Sequence, residues 1–271
     1  MSRGPVELVR ALGAWGLRGL EAFGGMTLLA GSTLRWSWHN LLHPDRARRD
    51  ALAIQMVRVG VRSIGIVCLV HLFMGVILAL QLYRPLEEPW RQADKIANII
   101  GVAGFRMLGP ILTAVLLSGF AGASIAAELG TMVVAEEIEA LEAHALNPVR
   151  FLVVPRVLAT TVMMLALTVV ADWMIAAGGY LVSRLVLGDR VWVGYWDRVQ
   201  SQLRYRDFFS GLIMGGVFGL QISLISCYLG LKVRGGAEGV GRATTLTVVY
   251  SIVSIIVAAC LFTMIFYVFK F

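Results

Sequence analysis

Residues 126–150, AAELGTMVVAEEIEALEAHALNPVR, hold five of the chain's seventeen carboxylates: Glu128, Glu136, Glu137, Glu139 and Glu142. Apolar runs flank this stretch on both sides, each long enough to cross a bilayer, which takes about 20 residues. The acidic piece therefore belongs at a membrane surface or just outside it. Val134, Ile138, Leu141 and Ala145 recur at i, i+4, i+7 and i+11, the spacing of one helix face, and the glutamates take the other sides. Asn147 followed by Pro148 suits an N-cap with proline at the first helical position, opening the next helix. The reading is a short amphipathic helix held between two spans; a solvated turn is the plainer alternative.

Composition places those runs in lipid. Hydrophobic residues make up 58% of the 271-residue chain, charged residues 15%, and mean hydropathy is +0.77. A soluble domain carries about 45–50% apolar and about 25% charged residues. The chain thus reads as a polytopic all-α membrane protein in one domain, with an interfacial and cytoplasmic N-terminal segment, 1–50, and a transmembrane core, 51–271. The net charge of +7 comes from 21 arginines and three lysines that flank apolar runs. Such placement argues for membrane topology and against nucleic acid as a partner. Cys68, Cys227 and Cys260 fall inside apolar runs and read as small core residues, not a disulfide or metal framework. Residues 1–36 lack a continuous apolar core with a small-residue cleavage site, so no cleavable leader is expected.

Residues 5–36 mix apolar residues with Arg10, Arg18, Glu21 and Arg35 and end in Trp36, with Trp38 just beyond. That pattern suits an amphipathic helix lying in the interface; a weak full span is the alternative. His39 and His43 stand four apart without a carboxylate at ligand spacing, so they read as interfacial polar residues and no metal site is expected. Nine of the first 62 residues are arginines, which places the N-terminus in the cytoplasm. Spans then fall at about 63–82, 107–127, 152–187, 207–230 and 244–268, with outer segments at about 83–100 and 188–206 and an inner loop at about 231–243. The rows Ala114, Ser118, Gly122, Ala126 and Gly119, Ala123, Ala127, with Gly211, Gly215, Gly219, suit close helix contacts within one subunit or between two. The third run exceeds one perpendicular crossing and must tilt, project or break near Gly178-Gly179. Asp172, near its middle, costs roughly 2.5–3.5 kcal/mol on insertion scales and should face protein or water. It is either a helix-packing hydrogen-bonder or a proton-coupling group.

Catalytic patterns are missing. Lys95, Lys232 and Lys270 follow Asp, Leu and Phe, so none closes a phosphate-binding G-x-x-x-x-G-K-[ST] loop, and neither G-x-S-x-G nor H-E-x-x-H occurs. With four scattered histidines and no paired nucleophile and base, an enzyme is not expected, nor a cofactor on this chain. Any use of ATP would therefore fall to another chain.

Three motifs, in order, carry a resemblance. Glu128-Leu-Gly-Thr-Met132 with Glu137-Ile-Glu-Ala-Leu-Glu142 and Asn147-Pro148 is similar to the signature of the MlaE/YrbE permease family, membrane subunits of ABC-type lipid transporters that work with MCE proteins. Gln55-Met56, Gly60 and Phe73–Gln81 resemble its first span, and Arg106 with Leu108-Gly109-Pro110 its lead-in to the second. Gly235–Thr245 with Val248-Val249 resembles the approach to its last span. The likeness covers roughly residues 50–265. It implies an interfacial helix plus five spans, two permease subunits, two ATPases, an MCE assembly on the outer side, and a lipid cavity between the permeases. Met107 stands where the family usually has glutamate; Leu246, Ala259, Val133 and Phe120 are further departures. They leave open a heteromeric pair instead of a homodimer.

Lipid as cargo makes physical sense of the resemblance. Exposing on the order of 30 methylenes to water costs roughly 24 kcal/mol, so a lipid mover needs an enclosed apolar path. Leu78, Gln81 and Leu108, near the outer ends of the first two spans, are candidate wall residues, with Arg106 and Met107 beside them. Glu128, Glu136, Glu137, Ile138, Glu139, Leu141 and Glu142 are the candidate ATPase-coupling set. The expected function is a permease subunit moving phospholipid or a related lipid in a bacterial inner membrane, with a proton-coupled transporter using Asp172 as the alternative.

Overall fold

The computed structural model describes residues 5–42, 46–88 and 91–269, and only the backbone for 5–18, 22, 41–42 and 46–48. Every regular element among them is helical, in keeping with an all-α membrane protein. A long helix, α1 (Pro5–Leu42), precedes five rods long and apolar enough to cross a membrane. The first, Arg49–Glu87, joins α2 (Arg46–Val59) to α3 (Ile64–Glu87) through one 3-10 turn. The second, Ala93–Val134, runs through α4 (Ile96–Ala103), α5 (Gly109–Leu117) and α6 (Ala123–Val134), joined by π-helical turns at Gly104–Leu108 and Ser118–Gly122. A short helix, α7 (Glu137–Ala143), leads to the third rod, Val149–Leu187, built on α8 (Val154–Val182). After α9 (Asp189–Trp192) and α10 (Tyr195–Gln202) come the fourth and fifth rods, α11 (Tyr205–Leu231) and α12 (Gly236–Val268). Short links make successive rods antiparallel, so α7 shares one end of the bundle with residues 232–235. Glu88, residues 91–92, α9 and α10 form the far end.

The rods are longer than the apolar runs. Residues 83–87 and 96–100, expected in an outer loop, are helical because Tyr83 and Leu86 pack with Ile96 and Ile100 in one buried cluster. The expected inner loop at 231–243 shrinks to Lys232–Gly235, since α12 begins directly after Gly235 at φ +90°. Hydropathy marks only the part of a helix that lies in hydrocarbon; polar turns that prolong it carry no such mark. The first rod, at 39 residues, spans about 58 Å against a core of about 30 Å.

The third rod is the centre of the bundle, with α3, α11, α2 and α5 packed around it. Gly178-Gly179 does not break it. A Cβ on Gly178 would run into the Leu72 carbonyl, and one on Gly75 into the Ile175 carbonyl, so paired glycines set α3 and α8 at backbone contact. The row Ala114, Ser118, Gly122, Ala126 is buried, with Gly122 facing Ile222, Ser226 and Thr247 of the last two rods. Gly119, in the parallel row, meets nothing within 4 Å. Of the three free cysteines, Cys227 is buried as expected and Cys68 half-buried, but Cys260 is exposed on α12. Helix α1 lies along the α7 end: Leu29 joins the cluster of Ile125, Leu129 and Val153, and the Arg150 guanidinium sits 4.7 Å from the Trp36 ring. His43 lies outside the described residues; His39 meets Trp36 edge-on.

Candidate functional site

Two constellations stand at opposite ends of the bundle. The first is built on Glu128, one turn and a half before α6 ends. Its carboxylate accepts from Arg58 of α2 and, at 3.1 Å, from Arg156 Nη2 of α8. Arg156 is 8% exposed and also donates Nη1 to the Leu152 carbonyl at 2.8 Å. One carboxylate thus clasps the first three rods together. A charge-assisted contact stabilises by about 1.5–3 kcal/mol when shielded; with Arg58 40% exposed, solvent screens its half of the clasp, and the buried Arg156 side carries more of it.

Beyond this clasp the chain turns sharply. Glu136 takes a left-handed conformation at φ +59° and Ala145 another at φ +57°, which side chains other than glycine or asparagine adopt rarely. These two elbows bound α7 at Glu137–Ala143. The face expected to run from Val134 to Ala145 is therefore interrupted: Val134 belongs to α6, Ala145 lies past α7, and both are exposed. Ile138 and Leu141 are half-buried, whereas Glu136, Glu137, Glu139 and Glu142 point to solvent. The coupling set divides accordingly, with Glu128 turned inward and the other glutamates outward. The Asn147 cap forms, its Oδ1 accepting from the Val149 and Arg150 amides at 3.0 and 3.3 Å.

At the far end lies a groove of about 560 Å³, lined by Ile99, Val102, Met107 and Leu108 with Arg106 and Gln202. Three of the five predicted wall residues meet there, on the π-helical turn Gly104–Leu108 that reorients successive side chains. Leu78 packs in the same cluster as Leu108, while Gln81 is exposed and off the groove. The Arg106 guanidinium lies 3.5 Å from Asp207 Oδ1 and 5.9 Å from the centre of the Phe266 ring. Asp207 Oδ2 in turn accepts the Arg204 amide at 3.2 Å, at the start of α11. The groove is walled mostly by apolar side chains, with one cation, Arg106, placed to meet an anionic group. Asp207, Arg58 and Arg156 were not singled out by the sequence. Asp207 carries a local sign, three residues after Arg204 where a helix begins; the two arginines carry none.

Asp172 is 1% exposed and lies against Gly109, where a Cβ would strike its Oδ1. That oxygen has no hydrogen-bond partner. Nearby, His71 donates from Nδ1 to the Val67 carbonyl at 2.7 Å and meets Thr113 Oγ1 through Nε2 at 3.2 Å, a separate polar contact in the same seam. Among the described residues no group of three or more metal-ligating side chains converges.

Residues 52–265 match the family described as Permease MlaE. A probable ABC transporter permease protein of Rickettsia felis is 38% identical over 79% of this chain and 82% of its own. One from Synechocystis is 35% identical over 78% and 79%, respectively. Protein TRIGALACTOSYLDIACYLGLYCEROL 1, chloroplastic, of Arabidopsis thaliana is 34% identical over 75% of this chain and 58% of its own.

Proposed function

The chain belongs to the Permease MlaE family, and from that premise we propose that it is the membrane subunit of an ATP-driven lipid transporter. Its cargo is phospholipid or a related lipid, received in the far-end groove. The observation that carries this reading is the groove itself: an apolar wall on the second rod, with Arg106 beside it, held by Asp207. Acyl chains would lie on Ile99, Val102, Met107 and Leu108, and the headgroup phosphate would meet Arg106. A relative that bears the name of a galactosylated diacylglycerol supports a lipid over a polar solute.

The α7 end is the proposed engine mount. A separate ABC ATPase would bind α7 through its outward glutamates and through Ile138 and Leu141. The Glu128 clasp would carry the motion into the first three rods together. This assigns the α7 end and the N-terminus to the cytoplasm of a bacterial inner membrane and the far end to the outer side, where an MCE protein would take over the lipid. A second permease copy would close the groove.

Met107→Trp tests the cargo. Met107 is 43% exposed, so the substitution fills the groove without disturbing the core. Phospholipid co-purifying with the transporter should fall by about five-fold while the ATPase stays bound. Unchanged lipid content would overturn the assignment of the groove.

A further inference from the structure

We infer that the first rod carries a second lipid site, at the α7 end, which takes the phosphate of an anionic phospholipid from the leaflet on that side. A cleft of about 270 Å³ opens there between the first and second rods, lined by Gln55, Arg58, Arg62, Ser124, Phe120 and Glu128 among others. It is separate from the groove at Arg106, which lies at the other end of the bundle, and it needs only that the chain spans a bilayer.

Charge is the first argument. Glu128 is shared by Arg58 and Arg156, and Arg62 is exposed, with no carboxylate within ion-pair distance among the described residues. Arg58 and Arg62 line the cleft with one carboxylate, Glu128, which Arg156 also holds from outside the lining, so the cleft keeps a positive surplus. Gln55 Oε1, also on a lining residue, is buried without a partner; with its amide turned over, that position supplies an N–H donor instead.

Depth and direction are the second. Arg58 and Arg62 lie one helical turn apart, where the apolar run of the first rod begins. Ile66, Leu69 and Phe73 continue from Arg62 at i+4, i+7 and i+11, and they are 48%, 58% and 54% exposed. One helix face therefore reads cation, cation, then an open apolar ladder toward the bilayer centre, with exposed Phe120 beside it from the second rod. This is the profile of a lipid, phosphate at the interface and acyl chain below. A guanidinium fits a phosphate in bidentate fashion, which an isolated arginine reaching for bulk water does not obtain. Soluble phosphate would use the arginines but leave the ladder unused.

The full-length chain, reconstituted in nanodiscs with equal phosphatidylglycerol and phosphatidylcholine of matched acyl chains, is then released and its retained lipids are counted by native mass spectrometry. The intact chain should favour phosphatidylglycerol, and Arg62→Gln should lower that preference by about three-fold or more, with partial rescue in Arg62→Lys. Arg84→Gln, an exposed arginine at the far end of the same rod, should leave it unchanged. An unaltered preference in Arg62→Gln, an equal loss in Arg84→Gln, or displacement of the lipid by millimolar inorganic phosphate would each overturn the inference. So would a change in oligomeric state without a change in retained lipid. The Met107→Trp variant reads the other end, so failure of one site leaves the other standing.

Discussion

At the α7 end, side chains meet by charge: Glu128 binds Arg58 and Arg156, and four more glutamates project from or beside α7. The far end has ion pairs too, Arg106 with Asp207 among them, but there apolar surface dominates: Met107 and Leu108 line the groove, and the rings of Tyr180, Tyr195 and Trp196 lie with their centres 5.7 Å apart. The Tyr195 hydroxyl is buried without a partner against Gly179, and burial pushes its ionisation above the ordinary tyrosine range. The contrast matches what each end would have to grip. A soluble ATPase offers a hydrated, directional surface that charge can steer toward, whereas a lipid offers methylenes and one phosphate.

The comparison breaks most visibly if α7 is not the mount. Glu137→Lys with Glu139→Lys reverses two exposed charges and touches no core residue, so the bundle should fold as before. Co-purification of the ATPase should drop by about ten-fold or more, since like charges would now face each other across the contact. Lipid retained in the groove should stay constant. Retention of the ATPase would remove the reason for treating the two ends as engine and cargo.

A smaller effect sharpens the role of the clasp. Glu128→Ala leaves Arg156 buried beside Arg58 with no carboxylate between them. Thermal unfolding should report a loss of about 2 kcal/mol, and the ATPase should still bind because α7 is untouched. Transport should fall more than ATPase binding if the clasp passes motion to three rods at once. Equal retention of transport and binding would reduce Glu128 to a packing contact.

These two tests also divide what the sequence makes legible from what it does not. The five apolar runs, the acidic helix and the Asn147 cap are local, written in composition and in spacings under five residues. The Glu128 clasp joins residues 70 and 28 positions apart, and no periodicity links them. The two elbows at Glu136 and Ala145 are likewise silent, because neither residue type announces a left-handed backbone; a glycine there would have. The groove was half legible. Arg106, Met107 and Leu108 stood out by resemblance, but the π-helical turn that brings them together depends on how the second rod packs against Ile175 and Gly211, not on the residues of the turn alone. Gln81 shows the cost of assigning a wall from a span's position: one helix turn decides between groove and exposed surface.

The smallest expected effect concerns the middle of the bundle, which the two-ended scheme leaves without an energetic role. If protons drove transport, Asp172 would be the natural carrier, and the engine would move from α7 to the third rod. Its setting argues otherwise. It is sealed at 1% exposure, pressed on Gly109, and pairs with no cation among the described residues. A carrier has to exchange its proton with water on both sides, and a side chain closed in by backbone has no route for that. Asp172→Asn keeps shape and volume and supplies an N–H in place of one oxygen, so transport should remain within about two-fold of the parent and ATPase binding should not change. Transport abolished with the ATPase still bound would break the scheme at its centre: the α7 contact would then be attachment without drive, and the buried carboxylate, not the glutamate helix, would set the pace.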